Sequence, residues 1–147
     1  MEWTEPPMME SGAPLPSILD CGSTLLCAYI CSNPDFVGWD SGAPPDHPSF
    51  DEYCAVIEFE DVENFKFGAP NDEELYEHPL HKLGVDYYGF YKLNESPELD
   101  LMPGYFLWVA VFHDETLQVI AKNAKVFNSR VAVNSSQKAL EHVKARA

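Results

Sequence analysis

Two β-rich runs, residues 105–112 and 116–122, are separated by His113-Asp114-Glu115 alone. A polar connection this short leaves room for a chain reversal and little else, so the runs are predicted to pair as a hairpin. An antiparallel sheet must then accommodate the rest of the chain. Residues 24–31 form a short continuous apolar run, which suits a strand buried on both faces. Residues 53–59 read as a second strand, and residues 62–67 as a separate short strand after a bend. Residues 87–93, with Tyr87, Tyr88, Phe90 and Tyr91, read as an aromatic strand.

Helix signals are fewer. Gly68-Ala69-Pro70 ends a strand, Asn71 is a good N-cap, and Asp72, Glu73 and Glu74 stand where carboxylates favour a helix start. The helix is predicted to end before Pro79, which disfavours helical geometry at His78. Residues 135–147 contain helix formers and a basic end, with a thin apolar face, and are read as a docked or frayed helix. Residues 33–48 form a loop with Phe36 and Trp39 as anchors, and residues 94–104 a turn region. Strands do not alternate with long helices, so a doubly wound parallel sheet is not expected. The predicted fold is α+β, an antiparallel sheet of five or six strands with one or two short helices on one face. Its parts are a flexible Pro-rich lead-in (1–22), a single domain (23–134) and a basic C-terminal helix or tail (135–147).

With 147 residues, 46% hydrophobic and 13% aromatic, the chain can bury a core without covalent staples. No apolar run reaches the roughly 20 residues that a membrane-spanning helix needs. Glu2, Glu5 and Glu10 lie among prolines at the N-terminus, without a basic or apolar signal region, so a cytoplasmic protein is expected. Cys21, Cys27, Cys31 and Cys54 are accordingly read as reduced thiols. The net charge is −15 and uneven. Residues 1–121 hold 23 acids against Lys66, Lys82 and Lys92, a balance of −20, whereas residues 122–147 carry +5. An acidic body repels phosphate backbones and anionic lipid surfaces, so nucleic acid and membranes are not expected partners. A basic protein is, and the oligomeric state stays open.

Several blocks together resemble a family of small uncharacterised bacterial proteins. They are residues 25–32 followed by Asn33-Pro34-Asp35, then Phe67-Gly68-Ala69-Pro70-Asn71-Asp72-Glu73, His78-Pro79-Leu80, Gly84, Tyr88-Gly89 and Phe112-His113-Asp114-Glu115-Thr116. In that family the last block reads Phe-His-Asp-x-Thr before a strand ending as Ile120-Ala121 does here. The resemblance covers roughly residues 24–121. It implies a bacterial source and a shared fold, and it supplies no activity. Members of the family carry a longer, Trp-containing and helical insert after the position of Asn94, whereas residues 95–104 are short, so a crossover helix is expected to be missing.

The histidine-bearing segments are the candidate chemical sites. His78, His81 and His113 are candidate ligands for a divalent metal such as Zn²⁺, with Glu77 and Asp114 nearby. Pro79 constrains the geometry of the first pair, and the alternative is that the two rings never meet. As an acid–base site, His113 and Asp114 would work with His78, Asp72 or Glu73, a carboxylate fixing the imidazole tautomer. The alternative is that residues 112–116 are a hairpin turn whose Asp bonds neighbouring amides. No nucleophile elbow, phosphate loop or Cys-x-x-Cys is present, so no organic cofactor is expected. The third reading is a protein-binding module of the immunity or inhibitor kind, its acidic surface capturing a basic toxin or nuclease. The two histidine segments are expected to share one rim of the sheet.

Overall fold

The computed structural model describes residues 2–7, 9, 16–31, 53–68, 75, 79–85, 89–94, 103–112, 115–132 and 140–141, with residues 53 and 127–132 described through their backbone alone. Six strands form one antiparallel sheet: β1 (Ser17–Asp20), β2 (Thr24–Cys31), β3 (Tyr53–Gly68), β4 (Phe90–Leu93), β5 (Phe106–Val111) and β6 (Thr116–Ala132). The spatial order is β1-β2-β3-β6-β5-β4. Two three-stranded meanders are thus joined through β3 and β6. The antiparallel sheet agrees with the sequence reading.

Helix is scarcer than an α+β reading implies. The one helical element is α1 (Pro79–Lys82), with helical residues also at Leu140 and Glu141, so the described fold is mostly β. Pro79 opens α1, while the helix expected to end before it falls on residues 71–78, of which only Leu75 is described. Proline lacks an N–H that the first helical turn could not satisfy anyway, and its fixed φ suits that position. The proposed N-cap and first turn at residues 71–74 lie outside the described residues, as do the loop anchors Phe36 and Trp39.

The predicted break before residue 62 is a bend inside one strand. Asp61 has φ of 55°, a left-handed conformation that Asp tolerates better than most residues. A register shift follows between Val62 and Asn64, yet the ladder to β6 continues on both sides. β6 runs to Ala132, well past the predicted end at residue 122. Its polar residues hid the strand, but they satisfy partners across the ladder: Asn123 Nδ2 donates to Glu60 Oε1 at 3.2 Å, and Lys125 Nζ lies 3.4 Å from the same oxygen.

The bend folds the sheet onto itself. β1 and β2 lie along the first half of β3, whereas β5 and β4 lie along the first half of β6, paired with the second half of β3. In a flat sheet β2 and β4 would stand four strand spacings apart, roughly 19 Å. The rings of Tyr29 on β2 and Phe90 on β4 nevertheless sit 5.2 Å apart, centroid to centroid. The concave face so formed is aromatic: Tyr29, Phe59, Phe90, Trp108 and Phe112 are all buried on it. The outer face is mostly aliphatic and holds both helical pieces. Leu80 of α1 packs with Tyr91, Leu93, Leu107, Val109, Val111 and Ile120, and Leu140 packs with Leu26, Ala28, Cys54 and Val56.

The sheet also begins earlier than the domain boundary expected at residue 23, because β1 starts at Ser17 and pairs with β2. Further upstream, Glu2 forms an antiparallel bridge to Tyr91 on β4, and Met9 forms one to Cys31 on β2. The N-terminal segment therefore crosses from one half of the folded sheet to the other. Trp3 N–H donates to Phe90 O at 2.8 Å, and the Tyr29 hydroxyl donates to Pro7 O at 2.6 Å.

Candidate functional site

The strand ends that flank the histidine segments can be placed in the sheet. Gly68, the last residue of β3, pairs with Thr116, and Val111 N–H donates to Gly89 O at 2.9 Å. The chain between Gly68 and Gly89 thus leaves and rejoins the sheet beside the β5–β6 hairpin. That hairpin closes through Phe112 N–H to Glu115 O, also 2.9 Å. The Glu115 carboxylate reaches toward the end of β3, its Oε2 3.6 Å from where a side chain at Gly68 would begin. Gly68 and Gly89, which flank the first segment, therefore both adjoin the strand ends beside the hairpin turn. His78, His113, Asp114, Asp72 and Glu73 themselves lie outside the described residues, and so does Glu77.

His81 has a structural setting. Gly84 N–H donates to His81 O at 3.1 Å and Val85 N–H to Leu80 O at 3.2 Å, the paired bonds of a Schellman helix end. Gly84 supplies the left-handed residue at φ 96°, and Val85 buries itself against Leu80, completing that motif. The half-buried His81 ring lies over this end, Nδ1 3.3 Å from Val85 O. With its proton on Nδ1, the ring donates to a carbonyl just past the helix end. Among the described residues, no group of three or more His, Cys, Asp or Glu side chains could hold a metal ion.

The cysteines offer little chemistry at this site. None of the four is in a disulfide; Cys27, Cys31 and Cys54 are buried and Cys21 is exposed. Burial pushes the Cys27 thiol well above its ordinary range, so it stays protonated and packs as a small hydrophobe.

Two features escaped the sequence reading. The first is an acidic corner at the bend. Val62 N–H donates to Ser23 O at 2.8 Å, tying the β1–β2 turn to β3 beside Glu60, Asp61 and Glu63. In that turn Asp20 Oδ1 accepts from Gly22 N–H at 3.0 Å. Asp20, Asp61 and Glu63 are exposed. The sequence shows the acids but not the fold-back that places Asp20 beside the others.

The second is the N-terminal segment. Trp3 packs its ring 4.9 Å from Trp108, 6.3 Å from Phe90 and 6.5 Å from Phe59. A cleft of about 380 Å³ opens between this segment and β4, lined by Glu2, Trp3, Thr4, Pro6, Pro7, Gly89 and Phe90. The available signal was a tryptophan standing among prolines, a large apolar group with no local partner. A smaller depression beside Asn64, Lys66 and Gln118 has room for little more than one water, about 20 Å³.

Among the described residues, no helix is long and apolar enough to cross a membrane. No family model, curated protein or solved structure matches the chain.

Proposed function

We propose that the protein is a protein-binding module of a bacterial cytoplasm, immunity- or inhibitor-like, whose partner is a basic protein. The observation that supports this reading is the acidic corner at the bend. Asp61 and Glu63 stand exposed on a strand held by β6 on one side and by the β1–β2 turn on the other. Asp20 lies across that turn, in a chain of net charge −15. Carboxylates on a fixed backbone speed the capture of a cationic partner, because long-range attraction orients the encounter and little order must be gained on docking. Lys122 and Lys125 on β6 bound the patch on one side and give it direction. The resemblance to a small bacterial family is taken up in the same reading. So is a second helix over residues 135–147, docked through Leu140, which would make the scaffold α+β.

The test starts from partners captured on the native chain, identified, purified and titrated back. A basic partner should form a saturable complex whose association rate falls steeply with salt. The double variant Asp61→Asn/Glu63→Gln should slow association several-fold. An acidic partner, or a basic one that ignores both salt and the double variant, would sink the reading.

A second reading keeps a small enzyme or a divalent-metal protein built on His78, His81 and His113 with nearby carboxylates. It is favoured by the shared rim at Gly68, Gly89 and the 112–115 turn. Metal analysis of untagged protein tests it: one stoichiometric ion, lost in His78→Ala and in His113→Ala, is expected on this reading, and its absence removes it.

A further inference from the structure

We propose that the cleft between the N-terminal segment and β4 receives an arginine side chain of the partner. This rests on the reading of the protein as a module for a basic partner, and adds the place where that partner inserts. The cleft's chemistry is that of a cation seat. Trp3 and Phe90 meet at 89° with centroids 6.3 Å apart, so two rings form a corner. Phe90 is buried and bonded through its carbonyl to Trp3 N–H, which fixes that corner to the sheet. Pro6 and Pro7 line another side, and prolines present carbonyl oxygens without N–H donors. Among the described residues, Glu2 is the one charged residue in the lining. Gly89 contributes the remaining wall. A volume of about 380 Å³ lies near the lower end of the range that holds small organic groups.

The same aromatic cluster already holds a cation. Lys92 Nζ stands 4.2 Å from the Phe106 ring centroid and 5.0 Å from that of Trp108. Lys92 is two residues along β4 from Phe90, roughly 7 Å by strand geometry, so its charge opposes a second cation. Glu2 offsets that opposition, and a planar guanidinium stacks on a ring face more completely than an ammonium does. Arginine is therefore the occupant that fits, with Glu2 as the residue that admits it.

The experiment uses the full chain with an untagged N-terminus and follows the indole N–H resonances of its three tryptophans. N-acetyl-arginine amide is titrated, with the uncharged citrulline and the lysine counterparts as controls. Arginine should shift the Trp3 signal saturably. The Trp108 signal, whose indole donates to Ala121 O at 3.1 Å inside the core, should move little. Citrulline should leave both in place, lysine should bind more weakly, and Glu2→Gln should weaken arginine about two- to fivefold. Equal binding of citrulline or lysine, an unmoved Trp3 signal, or indifference to Glu2→Gln would each overturn the proposal. A purified basic partner that still depends on Asp61 and Glu63 while the cleft stays silent would overturn the arginine seat alone. Arginine bound in the cleft without any basic partner would overturn the broader reading instead.

Discussion

The two faces of the folded sheet are built from different chemistry and closed in different ways. The concave face gathers Tyr29, Phe59, Phe90, Trp108 and Phe112 from four strands and the β5–β6 turn, and residues 2–7 and 9 of the same chain lie across it. The outer face gathers Leu, Val and Ile under one turn of helix and Leu140. Rings are long enough to meet across a fold-back, and they pack well edge to face, as Phe90 and Phe112 do at 88°. Short branched side chains suit the outer face, where a helix rests directly on the strands. The bend at Asp61 makes one face need large residues and leaves the other needing small ones.

The largest test of that difference removes one anchor from each side. Phe59→Ala should cost about 3–5 kcal/mol, because the ring is fully buried between the two halves of the sheet. Leu80→Ala should cost about 2–3 kcal/mol, since the α1 turn can settle toward the strands and refill part of the cavity. Denaturant unfolding measures both. Equal losses would mean that the aromatic fold-back holds the structure no more strongly than the helix does.

A smaller effect sharpens the outer side alone. Gly84→Ala forces a Cβ into a left-handed backbone at φ 96° and should cost about 1–2 kcal/mol. Space is not the issue, for nothing lies within 4 Å of that Cβ. The near-ultraviolet circular dichroism of the aromatic cluster should stay unchanged. A change in it would show that the two faces are coupled more tightly than their separate packing implies.

How legible this was in the sequence depends on how local each contact is. β2 could be read to its ends because seven apolar residues in a row after Thr24 need nothing else to explain them. The β5–β6 hairpin was equally readable, since its turn lies between its strands. The fold-back was not, because Asp61 carries its conformation in φ and not in its residue type. Residues 2–9 were read as lead-in because Trp3 has no neighbour in sequence to pair with, and its partners lie on β3, β4 and β5. At the candidate site, residue type singled out His81, while the helix end of Leu80, Gly84 and Val85 that holds it depends on Gly84 taking a left-handed backbone. His78 and His113 themselves lie outside the described residues.

The claim on which the fold and the cleft both depend is that β2 and β4 face each other under the N-terminal segment. Nuclear Overhauser contacts between the rings of Tyr29 and Phe90 report on it directly. Strong cross-peaks are expected from centroids 5.2 Å apart, together with slow hydrogen exchange at the Trp3 amide, which is bonded to Phe90 O. Missing ring contacts with an unprotected Trp3 amide would describe an open sheet, and would contradict the account.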